Sequence, residues 1–232
     1  MSTHFFGLSD RTYSYSHSVG RSEFSGTGFR NPVDFAFGAD DVVYVLNRSY
    51  ATRPDGTHVT VCTLNEDYIS EFGSYGEGDG QFIWPTSVAL DKDENLYIAD
   101  EWLNRISIFS KDGEFLSKWG TGGSGDGELD RPAGLAISPD QTVFVVDSRN
   151  SRVQKFSLEG KFLGKFGSFG SGPGEFKMPW GIGLAPDGSV LVADWRNDRI
   201  QQFTSEGVFV SEWGTQGPVS YTHLTLPTNR EV

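Results

Sequence analysis

A repeat with a fixed period of 47 residues constrains the fold of this chain more than any other feature. Three copies of one segment follow one another between residues 74 and 214. The period is constant at three positions in each copy: Pro85, Pro132 and Pro179; Asp100, Asp147 and Asp194; Arg105, Arg152 and Arg199. A constant period of this length indicates an array of one repeated supersecondary unit.

Each copy predicts four short β-strands. Its apolar runs have strand length, are rich in Val, Ile, Phe, Tyr and Trp, and are separated by turns of the Asp-Gly type. The run VFVV at 143–146 does not alternate with polar residues, which favours a strand that is covered on both faces. Four-stranded sheets that stack face to face are the blades of a β-propeller. The sequence therefore predicts an all-β propeller built of four-stranded antiparallel blades.

The residues of each copy also resemble the NHL repeat. A Gly-x-Gly-x-Gly-x-Phe segment is followed by Pro, by an Asp-containing turn, by Val-Ala-Asp and by Asn-x-Arg-Ile, and four units keep this register over residues 26–214. The resemblance implies a β-propeller, commonly one with six blades. On that basis, four complete blades of six are expected in this chain.

The predicted domain boundaries follow the repeat. We expect an N-terminal segment at 1–25, a propeller at 26–217 with blades at 26–73, 74–120, 121–167 and 168–214, and a non-repeat tail at 218–232. Residues 13–19 are predicted to form an outer strand without a blade of its own. In a closed ring this strand would complete a last blade after Gly214, where the repeat stops. The sequence is therefore interpreted as a C-terminally truncated fragment with a foreign, adaptor-like tail.

Blade one departs from the other copies. The distance from Pro32 to Pro85 is six residues longer than the period, and the surplus lies between Asn47 and His58. Asn47 stands where the other copies have aspartate, and His58 stands where they have arginine. A function that the blades do not share could use this longer loop.

Charge and composition limit the classes of partner and compartment. The formal net charge is −12, which repels phosphate backbones at long range, so binding of nucleic acid is not expected. Cys62 is the one cysteine, so no disulfide can form within the chain, and we expect this thiol to be packed in the core. Neither a secretory signal nor a membrane-length apolar run is visible. A cytoplasmic protein without membrane partners is expected.

The candidate ligand site lies on one face of the predicted propeller. Strand parity places the glycine-rich segments and the loops from the repeated Asp to the repeated Arg on the same face. The repeated Asp and Arg are predicted to connect these loops structurally, and the glycine triplets to be connectors, because no helix follows them as in a phosphate loop. The predicted ligand-binding residues lie where the copies differ: Asp34, Arg48, Trp102, Arg149, Trp180, Trp195 and Arg196.

The function predicted from these residues is a non-catalytic scaffold that binds a protein, a peptide or a small ligand. The alternative is a metal-dependent enzyme, since related propellers include lactonase-like hydrolases and peptidyl-amidoglycolate-type lyases. A zinc lyase needs several imidazoles, and only His58 lies within the blades. A lactonase-like site needs several oxygen ligands near the axis, where Asp34 is the one carboxylate. No catalytic residue, metal or cofactor is therefore assigned, and an enzyme would need site residues from missing blades.

Overall fold

The computed structural model describes residues 28–50 and 52–214, which form four propeller blades. Each blade is a four-stranded antiparallel sheet whose strands neighbour one another in chain order. The all-β propeller fold predicted from the repeat is confirmed. The predicted outer strand at 13–19 and the predicted foreign tail at 218–232 lie outside the described residues.

The strands have the following bounds. Blade one contains β1 Pro32–Phe37, β2 Val42–Asn47, β3 Val59–Thr63 and β4 Tyr68–Phe72, and the link to blade two contains β5 Ser74–Tyr75 and β6 Gln81–Phe82. Blade two contains β7 Pro85–Leu90, β8 Leu96–Asp100, β9 Arg105–Phe109 and β10 Phe115–Trp119. Blade three contains β11 Pro132–Ile137, β12 Val143–Asp147, β13 Arg152–Phe156 and β14 Phe162–Phe166. The next link contains β15 Ser168–Phe169 and β16 Glu175–Phe176, and blade four contains β17 Pro179–Leu184, β18 Val190–Asp194, β19 Arg199–Phe203 and β20 Phe209–Trp213.

The first strand of each blade lies innermost. Strands β1, β7, β11 and β17 contact one another in that order, which places them around the propeller axis. The described part of the chain shows no comparable packing between β1 and β17. Helix is confined, in the described ranges, to the short 3-10 turns Pro54–Gly56 and Trp195–Asn197, and neither could cross a membrane.

Aromatic side chains from one blade fill the interface with the next. The ring of Trp119 in blade two lies 4.8 Å from that of Phe156 in blade three, measured between centroids. The same indole lies over Gly160, where an added Cβ would come within 2.4 Å of the Trp119 Cγ atom. Gly160 also has φ +81, so both the turn and the packing require glycine. Phe72 over Gly113 and Phe166 over Gly207 repeat this contact.

Burial differs between the middle blades and blade four. Every residue of β8, β9 and β12 is buried, because these strands have a blade on each side. In β18 and β19 buried residues alternate with partly exposed ones, since among residues 28–50 and 52–214 only blade three covers a face of this sheet. Trp213 is 46% exposed, whereas Phe166, the residue at the same position in blade three, is 8% exposed.

Candidate ligand-binding face

Charge-assisted hydrogen bonds connect the glycine-rich segments to the loops that run from the repeated Asp to the repeated Arg. Both lie on one face of the propeller, which we call the loop face. In blade three, the buried Asp147 carboxylate accepts from Arg152 Nε at 2.7 Å and from the backbone N–H of Asp130 at 2.7 Å. The Arg152 Nη2 group donates to the carbonyls of Gly125 and Glu128 in the glycine-rich segment. We call this arrangement the Asp–Arg network. It confirms the prediction that the repeated Asp and Arg have a structural role.

Blade four repeats the network. Arg199 Nε donates to Asp194 at 2.9 Å, and its terminal nitrogens donate to the carbonyls of Ser171, Gly172 and Glu175. A buried glutamine two residues after the arginine completes both copies: Gln201 Nε2 donates to Asp194 at 3.2 Å, as Gln154 does to Asp147 at 3.0 Å. Burial raises the pKa of the Asp147 carboxyl, and the hydrogen bonds that it accepts oppose this rise.

Blade two carries an incomplete copy. The Asp100 carboxylate accepts from the backbone N–H groups of Ile83 and Trp84 at 2.7 and 3.1 Å, and Arg105 still donates to carbonyls of the glycine-rich segment. Ser107 replaces the glutamine of the other blades. Within the described residues, Arg105 Nε and Ser107 Oγ are buried without a hydrogen-bond partner.

Blade one uses a different set of contacts, as its sequence indicates. The Asn47 side chain donates to Thr60 Oγ1 at 2.9 Å and accepts from the backbone N–H of Arg30. The inserted loop forms the 3-10 turn, and Asp55 pairs with the Arg30 guanidinium at 2.9 Å. Cys62 is buried in the core of this blade as predicted, and burial raises the pKa of its thiol.

Asp34, the predicted acid near the axis, bonds to the neighbouring blade. Its carboxylate accepts from Ser87 Oγ at 2.7 Å and from the backbone N–H of Val88 at 2.8 Å. Ser87 Oγ in turn accepts from the backbone N–H of Leu135 at 3.2 Å. One chain of hydrogen bonds therefore joins the inner strands of blades one, two and three.

Arg48 belongs to an aromatic cluster between blades one and two. Its guanidinium carbon lies 4.6 Å from the centroid of a ring of Trp84, and the ring of Tyr50 meets Trp84 edge to face at 6.4 Å. With Asn31 and Ser49 these side chains line a cavity of about 220 Å³. We call Arg48, Tyr50 and Trp84 the Trp84 cluster.

Three other predicted residues meet in blade four. The rings of Trp180 and Trp195 lie 6.3 Å apart at an angle of 63°, and the Arg196 guanidinium carbon lies 5.4 Å from the Trp195 centroid. Trp180 is 40% and Trp195 is 53% exposed. We call these three side chains the Trp195 cluster. Its backbone is held by Asn197, which donates to Asp194 and to the carbonyl of Gly170.

Charged groups lie between the two clusters. Burial raises the pKa of the Glu101 carboxyl, and both Arg131 and Arg48 lie close enough to act in the opposite direction. Trp102, next in the chain, is 64% exposed, and its backbone N–H donates to Asp100. Arg149 of blade three also lies in an Asp-to-Arg loop, where its backbone N–H donates to the Asp130 carbonyl. The predicted residues thus fall into two clusters, with Trp102 and Arg149 in the loops between them and Asp34 among the inner strands.

The sequence analysis missed Tyr50, Trp84, Glu101 and Arg131. A signal for two of them was present, because the residue before each repeated proline varies as much as those after it: Asn31, Trp84, Arg131 and Met178. Glu101 likewise occupies the position that is Arg48, Ser148 and Trp195 in the other blades. Comparing the copies at these positions would have located the residues.

The described residues contain no metal-binding cluster, and of two cavities of note one lies on the loop face beside Trp84 and the other on the opposite face. In the described ranges, no three His, Cys, Asp or Glu side chains gather closely enough to form a metal site. A second cavity, of about 260 Å³, opens on the opposite face between blades one and two, where Tyr44, Glu94 and Lys111 are among its lining residues.

Comparison with known families and structures agrees with the fold. The family model of the NHL repeat matches residues 129–156 and 176–203. No curated protein matches the chain. Similar solved structures include virginiamycin B lyase from Staphylococcus aureus, in a catalytically inactive form with quinupristin, at 15% identity and a TM-score of 0.59. A putative 6-phosphogluconolactonase from Bacteroides uniformis is 14% identical with a TM-score of 0.57.

These structures are longer than the matched region. The alignment with the lyase covers 81% of this chain and 57% of that protein, and the alignment with the putative lactonase covers 83% and 59%. The chain therefore spans a little over half the length of these two structures. At this level of identity the likeness shows the propeller fold alone.

Proposed function

We propose that this chain, which carries NHL repeats, is a non-catalytic scaffold that binds a protein, peptide or small ligand at the centre of its loop face. The observation that carries the proposal is the presence of two aromatic–arginine clusters on that face, the Trp84 cluster and the Trp195 cluster. Tryptophan, tyrosine and arginine are the residues that contribute most often to binding energy in protein interfaces.

The loops that carry these clusters are held in place before any ligand arrives. In blade four, Trp195 follows Asp194 directly, and the Asp194 carboxylate is fixed by Arg199 and Asn197. In blade two, Trp84 donates its own backbone N–H to the buried Asp100. A surface whose backbone is already ordered loses less conformational entropy on binding, so more of the contact energy appears as affinity.

Exposure of the aromatic rings supports a binding role. The indoles of Trp102, Trp180 and Trp195 are all substantially exposed, whereas phenylalanine rings are buried at the blade interfaces. Large aromatic rings gain free energy when they leave water. A ligand that covers these rings would supply that gain.

Selection of ligands from a displayed library of random peptides tests the proposal. Peptides selected on the wild-type protein are expected to bind the double variant Trp195→Ala, Arg196→Ala at least about tenfold more weakly, because hot-spot truncations cost about 2 kcal/mol or more. Urea unfolding of this variant should match the wild type, since both side chains are exposed. The matched control is Leu116→Ala with Lys118→Ala, which removes one exposed apolar group and one cation from the outer strand β10.

The proposal fails if the selected peptides bind both double variants as tightly as the wild type. Loss of fold in the Trp195 and Arg196 variant would instead assign these residues a structural role. Metal analysis of the purified protein addresses the enzyme alternative. Stoichiometric zinc or calcium would favour a metal-dependent propeller enzyme over a scaffold.

A further inference from the structure

The two faces of the propeller carry different charge. The face opposite the loop face, which we call the turn face, contains the tight turns between the first and second and between the third and fourth strands of each blade. These turns hold thirteen acidic residues against three lysines, Lys92, Lys111 and Lys161. The acidic residues are Asp40, Asp41, Glu66, Asp67, Asp91, Asp93, Glu94, Asp112, Glu114, Asp140, Glu159, Asp187 and Glu206. Most of the net charge of −12 therefore lies away from the loop face.

Two groups of arginines on the loop face differ in their contacts. Arg105, Arg152 and Arg199 are buried and donate to carbonyls of the glycine-rich segments. Four others are not engaged in this way: Arg48, Arg131, Arg149 and Arg196. Within the described residues, none of these four guanidinium groups makes an ion pair or a side-chain hydrogen bond. Their N–H donors are thus available to a ligand.

Two of these arginines, Arg48 and Arg131, lie near Glu101 and indicate where a ligand would bind. The Arg48 guanidinium carbon lies over Trp84, 4.6 Å from a ring centroid, and the N–H groups of this guanidinium make no side-chain hydrogen bond within the described residues. Arg131 and Arg48 both oppose the rise that burial causes in the pKa of the Glu101 carboxyl, so both cations lie near this acid. A guanidinium edge is suited to bidentate hydrogen bonding of a carboxylate.

We propose that the centre of the loop face binds an acidic peptide segment, with ligand carboxylates on Arg48 and Arg131 and ligand aromatic or apolar side chains on the Trp84 cluster. This inference rests on the proposed scaffold function and names the chemistry of its ligand. The cavity of about 220 Å³ beside Tyr50 and Trp84 accepts a side chain, and the guanidinium groups recognise the charges that flank it.

A peptide fits the charge distribution better than a nucleic acid does. A polynucleotide carries a charge on every residue along its length, and a net charge of −12 repels such a polymer at long range. A short peptide places a few carboxylates against the four available guanidinium groups and keeps its remaining surface neutral. Glu101 lies among these groups and would oppose each further negative charge.

Three matched synthetic peptides test the inference on the full chain. In each, tyrosine alternates with a second residue, which is glutamate, glutamine or lysine. Binding is followed by the fluorescence of the exposed indoles, in buffers of low and physiological salt. The glutamate peptide is expected to bind about tenfold more tightly than the glutamine peptide, since hydrogen bonds to charged groups are the stronger ones. The difference should shrink as salt increases.

Variants locate the carboxylate contacts. The double variant Arg48→Gln, Arg131→Gln should lose about tenfold in affinity for the glutamate peptide and keep its affinity for the glutamine peptide. Lys118→Gln, which removes a cation at the outer rim, should change neither. Glu101→Gln should tighten the glutamate peptide by about threefold, because a repelling charge is removed.

The outcomes separate this inference from the proposed function. Equal affinity for the glutamate and glutamine peptides, or tighter binding of the lysine peptide, overturns the acidic ligand and leaves the scaffold in place. Binding of a single-stranded oligonucleotide more tightly than the glutamate peptide overturns the peptide class. If none of the three synthetic peptides binds, the result counts against the inference. The proposed function fails only if the peptides selected from the library also bind the Trp195→Ala, Arg196→Ala variant as tightly as the wild type.

Discussion

The two groups of arginines on the loop face show how one residue type serves two purposes in the same fold. Arg105, Arg152 and Arg199 occupy the same position in blades two, three and four, are buried, and bond to the glycine-rich segments. Arg48, Arg131, Arg149 and Arg196 occupy positions where the copies differ, and within the described residues their guanidinium groups make no ion pair or side-chain hydrogen bond. Position within the period, and not residue type, therefore distinguishes the arginines that hold the loops from those that we propose meet a ligand.

The largest expected effect comes from removing a buried member of the network. Arg152→Ala leaves the Asp147 carboxylate buried without its cation and should lower the free energy of unfolding by about 3–5 kcal/mol. Arg149→Ala, three residues earlier, should change it by no more than about 0.5 kcal/mol. Urea unfolding followed by tryptophan fluorescence measures both. Equal losses of unfolding free energy in the two variants would contradict the distinction between the buried arginines and the arginines at variable positions.

The next effect concerns Asp34, which the sequence assigned to the ligand site. Asp34→Ala removes the acceptor of Ser87 Oγ and of the Val88 N–H, and each lost bond at a partly buried site costs about 1 kcal/mol. We expect a loss of about 1–3 kcal/mol in the same urea experiment. Unchanged stability together with weaker ligand binding would return Asp34 to the ligand site.

A gain in stability is expected from completing the network of blade two. Ser107 lies on β9 at the position of Gln154 and Gln201, whose amides bond to the buried aspartate in their blades. Ser107→Gln should supply the same amide to Asp100 and raise the free energy of unfolding by about 1 kcal/mol. Gln154→Ser is the reciprocal change in blade three and should lower the free energy of unfolding, because Asp147 loses a hydrogen-bond donor. A loss of stability in Ser107→Gln would mean that blade two has no room for the longer side chain.

A small effect on stability is expected from removing the aromatic ring of Trp84. A cation–π contact at an accessible site is worth about 0.5–1 kcal/mol, so Trp84→Leu should lower the free energy of unfolding by no more than about 1 kcal/mol. The glutamate peptide should nevertheless bind this variant more weakly, because the cavity loses its aromatic wall. Phe82→Leu, two residues earlier and fully buried, is the contrasting change and should mainly affect stability.

The sequence was sufficient to predict the structural features that recur in each copy of the repeat. The constant spacing of Asp100, Asp147 and Asp194 predicted a structural role, and Arg152 and Arg199 confirm it through their bonds to these loops. The same period predicted strands covered on both faces, as β8 and β12 are. Repetition allowed these predictions because each copy repeats the same local environment.

Features that depend on the stagger between neighbouring blades could not be predicted. Asp34 bonds to Ser87 and Val88 because β1 and β7 lie side by side with a particular offset, which no pattern within one copy specifies. The stacking of Arg48 on Trp84 likewise joins two blades. Glu101 was missed because its burial, which raises the pKa of its carboxyl, and its proximity to arginines from two other blades both depend on how the blades assemble.

The separation of stability from binding in Arg48→Ala tests the account most directly. Urea unfolding and titration with the glutamate peptide are measured on the same preparation of this variant and of the wild type. We expect a clear loss of affinity and only a small fall in the unfolding midpoint, because the Arg48 guanidinium has no hydrogen-bond partner in the described residues and its contact with Trp84 is worth about 0.5–1 kcal/mol. A strongly lowered midpoint with unchanged affinity would contradict the account and would place Arg48 with the arginines that hold the loops.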